Sequence, residues 1–183
     1  MVLNYEKRHF FMAIGIGIFL VSPILLIFIP AFIANSIYLE PGTWIVIVPK
    51  ASYFLYGIGC LLLGIACLII YFGDVKRLFV FIGVVLSIVG VFFLLLGAKP
   101  FIAISNDGLT YRIEASNNIH QYKWNEIETV NYYDVDRSEG FDTYEVIFPD
   151  GSSIQITENG YVMQYRNALM EQFQENNISF NWK

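Results

Sequence analysis

FFMAIGIGIFLVSPILLIFIPAFIA, residues 10–34, contains no charged side chain and decides the class of this protein. A helix needs roughly 20 apolar residues in a row to cross the hydrocarbon core of a bilayer, and this segment exceeds that length. Two more uncharged stretches of spanning length follow, at residues 53–72 and 78–98. The sequence therefore predicts three transmembrane helices, with Pro23 and Pro30 kinking or ending the first of them.

Lys7, Arg8 and His9 precede the first apolar stretch, an arrangement that a secretory signal peptide would also show. The apolar core of a signal peptide is, however, only about 7–15 residues long, and no small-x-small cleavage site closes this stretch cleanly. We therefore expect residues 10–34 to remain in the protein as a membrane span.

Charge divides the chain near Pro100. Residues 1–100 hold three acidic and six basic side chains, whereas residues 101–183 hold thirteen acidic and five basic ones. The first part suits lipid and the second suits water. We therefore expect a transmembrane region at residues 1–99 and an acidic soluble domain at residues 100–183.

Small residues recur on one face of each of the last two predicted spans. They are Gly57, Cys60, Gly64 and Cys67 on the second span, and Gly83, Ser87 and Gly90 on the third. Helices associate in membranes mainly where small residues let their backbones approach, so we expect the two stripes to face each other in an antiparallel hairpin. Gly59 would then point away from the contact. The alternative is that glycine is simply frequent in membrane helices.

The two cysteines are interpreted as small packing residues, because their spacing on a helix separates them by about 10 Å, too far for a disulfide. None of the three spans contains an ionisable side chain, whereas ion pathways and proton relays normally require such groups. A transporter or pump is therefore not expected. Residues 35–50 are too short to cross and are predicted to form an interfacial loop with Trp44 at the headgroup level.

Beyond Pro100 the apolar residues alternate with polar ones, as in half-buried strands. Two hairpins are predicted, one around Asn106-Asp107-Gly108 and one around Pro149-Asp150-Gly151. Further strands are expected at residues 119–123 and 129–135, and an amphipathic helix carries Val162, Tyr165, Leu169 and Phe173 on one face. These elements predict a small β-sandwich or partly open barrel capped by one carboxy-terminal helix, the arrangement of pleckstrin-homology-like (PH-like) domains.

Two segments carry a resemblance to a known family. The run PFIAISNDGL at residues 100–109, together with Trp124-Asn125-Glu126-Ile127, resembles small bacterial membrane proteins of unknown function that have a PH-like domain after a transmembrane hairpin. Gly108, Trp124 and Ile127 are the signature residues of that resemblance. It implies a fold and a cytoplasmic soluble domain, but no reaction.

Charge gives a conflicting indication of sidedness. With three spans, Lys7, Arg8, Lys76 and Arg77 share one side of the membrane, and the positive-inside rule makes that side cytoplasmic. The soluble domain would then lie outside, whereas Lys50, Lys99 and Arg112 favour the opposite orientation. Of the two, we adopt a multi-pass protein of the cell membrane with a cytoplasmic soluble domain, as the resemblance implies.

A weak candidate for a calcium loop starts at Asp134. Oxygen-bearing side chains stand at the required positions in Asp134, Asp136, Ser138, Asp142 and Glu145. The position that needs glycine for the sharp turn holds Glu139, and the flanking residues alternate like strands. We therefore favour a solvated acidic hairpin loop and expect no metal or other cofactor.

Phosphoinositide binding requires basic residues in the first hairpin, and Asn106-Asp107-Gly108 supplies none. Nucleic-acid binding is excluded by the acidic balance of the soluble half. The sequence shows no nucleophile-base arrangement, so no enzyme is expected. The leading interpretation is a non-enzymatic, membrane-anchored interaction or scaffold module, in contact with the bilayer and with another protein or a second copy. The alternative is a bacteriocin or toxin immunity protein, or an envelope-stress membrane protein.

Overall fold

A computed structural model describes residues 6–113, 118–136, 138 and 140–183. The chain divides into two compact units, and the second is assembled from three separate pieces of sequence. The first unit lies within Met1–Tyr38, Ile47–Ile102 and Arg112–Asn118, and the second within Leu39–Val46, Ala103–Tyr111 and Ile119–Lys183.

Three long apolar helices make up most of the first unit, as the sequence predicts: α1 (Lys7–Tyr38), α2 (Lys50–Phe72) and α3 (Arg77–Gly97). Each is long and apolar enough to cross a bilayer. Helix α1 does not end at Pro23 or Pro30, since it stays helical through both residues. Each proline removes only one backbone hydrogen bond, and the bonds on either side keep the helix continuous.

Helices α2 and α3 pack through small residues at heptad intervals. On α3 these are Gly83, Gly90 and Gly97, and on α2 the facing residues are Ala66, Gly59 and Ser52. A Cβ atom added to Gly59 would lie 2.9 Å from the carbonyl oxygen of Gly90, so the two backbones touch at this point. The expectation that Gly59 points away from α3 is therefore wrong.

The stripe predicted on α2 faces a different helix. A Cβ at Gly64 would meet the ring of Phe19 in α1 at 2.5 Å, and a Cβ at Gly15 of α1 would meet Cys67 at 3.2 Å. Gly57 has no neighbour within 4 Å of such an atom. Helix α2 has a neighbour on two sides, so it carries two small-residue stripes, and Gly64 and Cys67 of the predicted stripe face α1, not α3.

Two other predicted packing residues behave differently. The hydroxyl of Ser87 donates a hydrogen bond to the carbonyl oxygen of Gly83 at 2.9 Å, one turn back along α3. Both cysteines are free thiols.

Arg8 connects the start of α1 to the turn after α2. Its guanidinium lies 2.6 Å from the Glu6 carboxylate and 2.7 Å from that of Asp74. Helix α1 therefore runs antiparallel to α2, and its amino end lies beside the turn between α2 and α3.

We expect Gly59→Leu and Gly90→Leu each to destabilise the helical unit by about 3 kcal/mol or more, because a leucine side chain has no room between the touching backbones. Gly57→Leu is the matched control and should change the melting temperature little. Thermal unfolding in detergent measures the difference. Equal losses for Gly57→Leu and Gly59→Leu would contradict the observed contact.

Two four-stranded sheets make up most of the second unit. The first has the order β1-β2-β3-β4 and the second the order β7-β6-β5-β8. The strands are β1 (Thr43–Ile47), β2 (Phe101–Ser105), β3 (Gly108–Arg112), β4 (His120–Lys123), β5 (Thr129–Tyr133), β6 (Thr143–Ile147), β7 (Ser153–Thr157) and β8 (Ser179–Trp182). The helices are α4 (Gly160–Gln164) and α5 (Arg166–Glu175). Both predicted hairpins are present, as β2–β3 and β6–β7.

Strand β1 corrects the interpretation of residues 35–50 as an interfacial loop. Trp44 lies in this strand, stacks on Trp124 and Tyr165 at centroid distances of 6.1 and 6.2 Å, and donates its ring N–H to the side chain of Asn106. The backbone N–H of Asn106 in turn donates to the carbonyl of Gly42 at 3.0 Å. Leu39–Val46, in the connection between α1 and α2, therefore belong to the second unit.

Strand β8 was not predicted either. It follows α5 and pairs in parallel with β5, where Tyr132 lies opposite Trp182. Phe173 of α5 stacks on Phe180 of this strand at 5.9 Å and packs against Trp124 in a T-shaped arrangement. The carboxy-terminal helix is thus followed by a strand that extends the second sheet.

Candidate functional site

The signature residues of the first hairpin have structural explanations. Gly108 has a φ of +152°, and a Cβ atom there would lie 2.0 Å from the carbonyl oxygen of Tyr122, so only glycine fits. Trp124 is 3% exposed, and its ring N–H donates to the carbonyls of Ser105 and Asn106 at 3.1 and 3.0 Å. Trp124 therefore holds the turn of the β2–β3 hairpin from within the core.

Ile127 completes this arrangement. It is 6% exposed, and its amide donates to the carbonyl of Trp124 across a short 3₁₀ turn at Trp124–Glu126. The carboxylate of Glu126 accepts a hydrogen bond from the amide of Lys123 at 2.7 Å. The Trp-x-Glu-Ile segment is thus a self-capped turn between β4 and β5.

The five residues of the candidate calcium loop do not come together as one group. Asp142 accepts from the hydroxyl of Tyr132 at 2.7 Å and from the amide of Val135 at 3.0 Å. Glu145 lies on β6 and accepts from other partners, the side chains of Asn131 and Tyr133. Asp134, Asp136 and Ser138 are exposed, and Glu139 lies outside the described residues. Among the residues that the structure describes, no three acidic, histidine or cysteine side chains could hold a metal ion.

Glu158 is a buried carboxylate of the second unit that the sequence analysis did not single out. Its side chain is 1% exposed. Tyr144 donates to one carboxylate oxygen at 2.7 Å and Tyr132 to the other at 2.9 Å, while the Arg166 guanidinium lies 3.7 Å away. A buried carboxylate is stable only when it is paired and hydrogen-bonded, and these three partners meet that requirement.

The two tyrosines and Asp142 respond electrostatically to this arrangement. Burial, and then the hydrogen bonds to carboxylates, raises the pKa of both the Tyr132 and the Tyr144 hydroxyl well above its usual range. The hydrogen bonds from the Val135 amide and the Tyr132 hydroxyl lower the pKa of Asp142. Both tyrosines therefore stay neutral donors and Asp142 stays ionised at neutral pH.

Two exposed aromatic side chains lie on the segments that flank this buried cluster in sequence. The amide of Glu158 donates to the carbonyl of Asp142 at 2.7 Å, which brings the segment before α4 against the loop before β6. Phe141 in that loop is 64% exposed and Tyr161 at the start of α4 is 71% exposed. The Arg166 side chain, which stacks over the Tyr132 ring at 5.5 Å, remains partly exposed. We name the surface formed by Phe141, Tyr161 and Arg166 the aromatic surface.

A signal for this site is present in the sequence but is not specific. Glu158 directly follows β7, and Arg166 lies in the first turn of α5, positions that are usually solvated. Their burial depends on Tyr132 and Tyr144, whose inward direction follows from the register of β5 and β6, in which these two residues lie opposite each other. The pairing register of β5 and β6 cannot be read from a single sequence, so the burial of Glu158 could not be predicted.

A scan of the chain against known protein families found no matching family, and a search of characterised proteins found no similar sequence. The function is therefore inferred from the geometry of the two units.

We expect Glu158→Gln to destabilise the protein by about 1–3 kcal/mol, because the amide nitrogen of glutamine cannot accept a hydrogen bond and leaves one of the two buried tyrosine hydroxyls without its acceptor. Glu128→Gln, at an exposed position, is the control and should stay within about 0.5 kcal/mol of the original protein. Thermal unfolding followed by tryptophan fluorescence reports both. A loss as small as that of the control would mean that the cluster does not stabilise the fold.

Proposed function

We propose that this protein is a non-enzymatic, membrane-anchored interaction module, in which three transmembrane helices hold a PH-like domain at the bilayer and the aromatic surface binds another protein. The observation that carries the proposal is the pair of exposed rings, Phe141 and Tyr161, on the two segments that the hydrogen bond from the Glu158 amide to the Asp142 carbonyl joins. Both oxygens of the Glu158 carboxylate accept hydrogen bonds from tyrosine hydroxyls. The cluster therefore serves as a structural support for the aromatic surface.

The outer faces of the helices support insertion into a bilayer. Large apolar side chains point away from the bundle on all three helices, for example Leu20, Phe54 and Phe81, which are 71, 72 and 68% exposed. In water each would cost about 1.5–3 kcal/mol relative to burial, whereas lipid chains solvate them. Bilayer insertion is therefore the arrangement that explains these exposures.

The architecture of the second unit supports the PH-like proposal. Two four-stranded sheets share a core, in which Phe148 is fully buried and stacks on Tyr122 of the first sheet at 4.1 Å, and the amphipathic helix α5 follows the last hairpin. Strand β8 is an addition to the expected arrangement. The composition of the aromatic surface, two aromatic residues and an arginine, is typical of energetically important residues in protein interfaces.

Insertion predicts that the full chain stays in the membrane pellet after alkaline carbonate extraction, because three spans bury far more apolar surface than a peripheral helix does. A peripheral membrane protein expressed in the same cells serves as the control and should be released. Recovery of most of the chain in the alkaline supernatant would contradict the membrane assignment.

The interaction role predicts discrete crosslinked products in intact cells when a photo-crosslinking amino acid replaces Tyr161 or Phe141. Gln155, exposed on β7, is the matched control position and should give none. Two differently tagged copies expressed together show whether the partner is a second copy or another protein. Equal crosslinking at Gln155 and Tyr161 would show that the aromatic surface has no special role.

A further inference from the structure

A cavity of about 330 Å³ lies between the three long helices of the first unit. Helix α1 lines it with six residues between Ile18 and Ile33. Helix α2 contributes Tyr56, Cys60 and Leu63, and helix α3 contributes Leu94, Leu95 and Ala98. The spacing of these residues places them on one face of each helix. The cavity therefore extends along the helix axes, as a slot for a chain-like molecule would.

The lining of the cavity selects against water. Ser22 is one of its few polar residues, and its hydroxyl already donates to the carbonyl of Ile18 within the same helix. A bound water needs two to four polar partners, and apolar cavities of about 150 Å³ in other proteins stay dry and take up benzene. A cavity about twice that size, between helices that we place in a bilayer, suits a hydrocarbon chain.

The positively charged side chain of Arg112 lies at one end of this slot. Ala98 lines the cavity, and the carbonyl of the next residue, Lys99, accepts a hydrogen bond from Nε of Arg112 at 2.8 Å. A terminal nitrogen of the same guanidinium donates to the hydroxyl of Tyr38, and the guanidinium carbon lies 5.6 Å from the centroid of the Phe101 ring. These contacts hold the positive charge in a fixed position beside the carboxy-terminal ends of α1 and α3.

The acidic residues that the structure describes in the first unit lie away from Arg112. These two residues, Glu6 and Asp74, both contact Arg8 at the opposite end of the helices. Lys50, at the start of α2, adds a further positive charge near the cavity end. The charge complementarity therefore favours an anionic group here.

A second observation concerns Tyr56. This residue is 5% exposed and lines the cavity, and its hydroxyl has no hydrogen-bond partner among the described residues. A buried hydroxyl without an acceptor is unfavourable, and the ester carbonyl oxygen of a lipid is a suitable acceptor.

We propose that the slot between α1, α2 and α3 binds one anionic phospholipid of the surrounding bilayer, with an acyl chain in the cavity and the phosphate beside Arg112. The ester region would then lie near the hydroxyl of Tyr56. The site differs from the aromatic surface and holds a different class of ligand. It rests on the membrane insertion proposed above, which the alkaline extraction tests separately.

The test uses the full chain purified in detergent, with dioleoyl phosphatidylglycerol, dioleoyl phosphatidylcholine and inorganic phosphate as probes. Native mass spectrometry should show one retained phosphatidylglycerol, bound about fivefold more tightly than phosphatidylcholine, as expected for one cation near the headgroup. Phosphatidylglycerol should also raise the melting temperature, and inorganic phosphate should not.

Two pairs of variants locate the site. Ala98→Phe fills the cavity and should abolish retention of phosphatidylglycerol, whereas Ala13→Phe, at an exposed position of α1, should not. Arg112→Gln should remove the preference for the anionic lipid and Arg112→Lys should keep part of it, while Lys76→Gln, at the opposite end, should leave it unchanged.

Circular dichroism establishes that each variant is folded, and Cys60→Phe replaces Ala98→Phe if that variant is not. Equal binding of the two phospholipids by the unmodified chain would overturn the proposal, as would full retention of phosphatidylglycerol by a folded cavity-filling variant. A chain that resists alkaline extraction but shows either result would refute this lipid site alone and leave the membrane anchor intact.

Discussion

The pairing of strand β1 with β2 is the constraint on which the organisation of this protein depends. Strand β1 comes from the connection between α1 and α2, whereas the strands beside it follow α3. Trp44 stabilises the pairing through its stacking on Trp124 and Tyr165 and through its hydrogen bond to Asn106. The sheet-rich unit is therefore discontinuous in sequence, and no single cut of the chain separates it from the helices.

The same pairing explains how the short connection between α1 and α2 forms hydrogen bonds with its backbone groups. A connection between two apolar helices has to place its N–H and C=O groups somewhere, and unpaired buried groups are costly. The ladder with β2 pairs those backbone groups of Thr43–Ile47 that point towards β2, and Ile45 and Val46 become part of the core at 8% exposure each. The loop thereby stabilises the sheet, and the sheet fixes the loop.

Much of the architecture follows from the sequence, because its causes are local. The helices follow from the absence of charge, and the hairpins from Asp-Gly turns that require positive φ at Gly108 and Gly151. Strand β1 was missed because TWIVI is short, follows Pro41-Gly42 and pairs with residues far along the chain. The same limit applied to Gly59, since periodicity defines a helix face but not which neighbour it meets. Glu158 was missed because its partners Tyr132, Tyr144 and Arg166 come from three different elements.

Hydrogen–deuterium exchange of the full chain in detergent tests the central claim most directly. If β1 is an integral strand, the one amide of the neighbouring pair Ile45 and Val46 that points towards β2 should exchange as slowly as the paired amides of β2, because opening it requires the sheet to open. Exposed residues of the connection before β4, such as Asn118 and Ile119, should exchange quickly and provide the reference. Fast exchange at both Ile45 and Val46, at the rate of that reference, would mean that residues 39–46 form a free loop, and it would contradict the account.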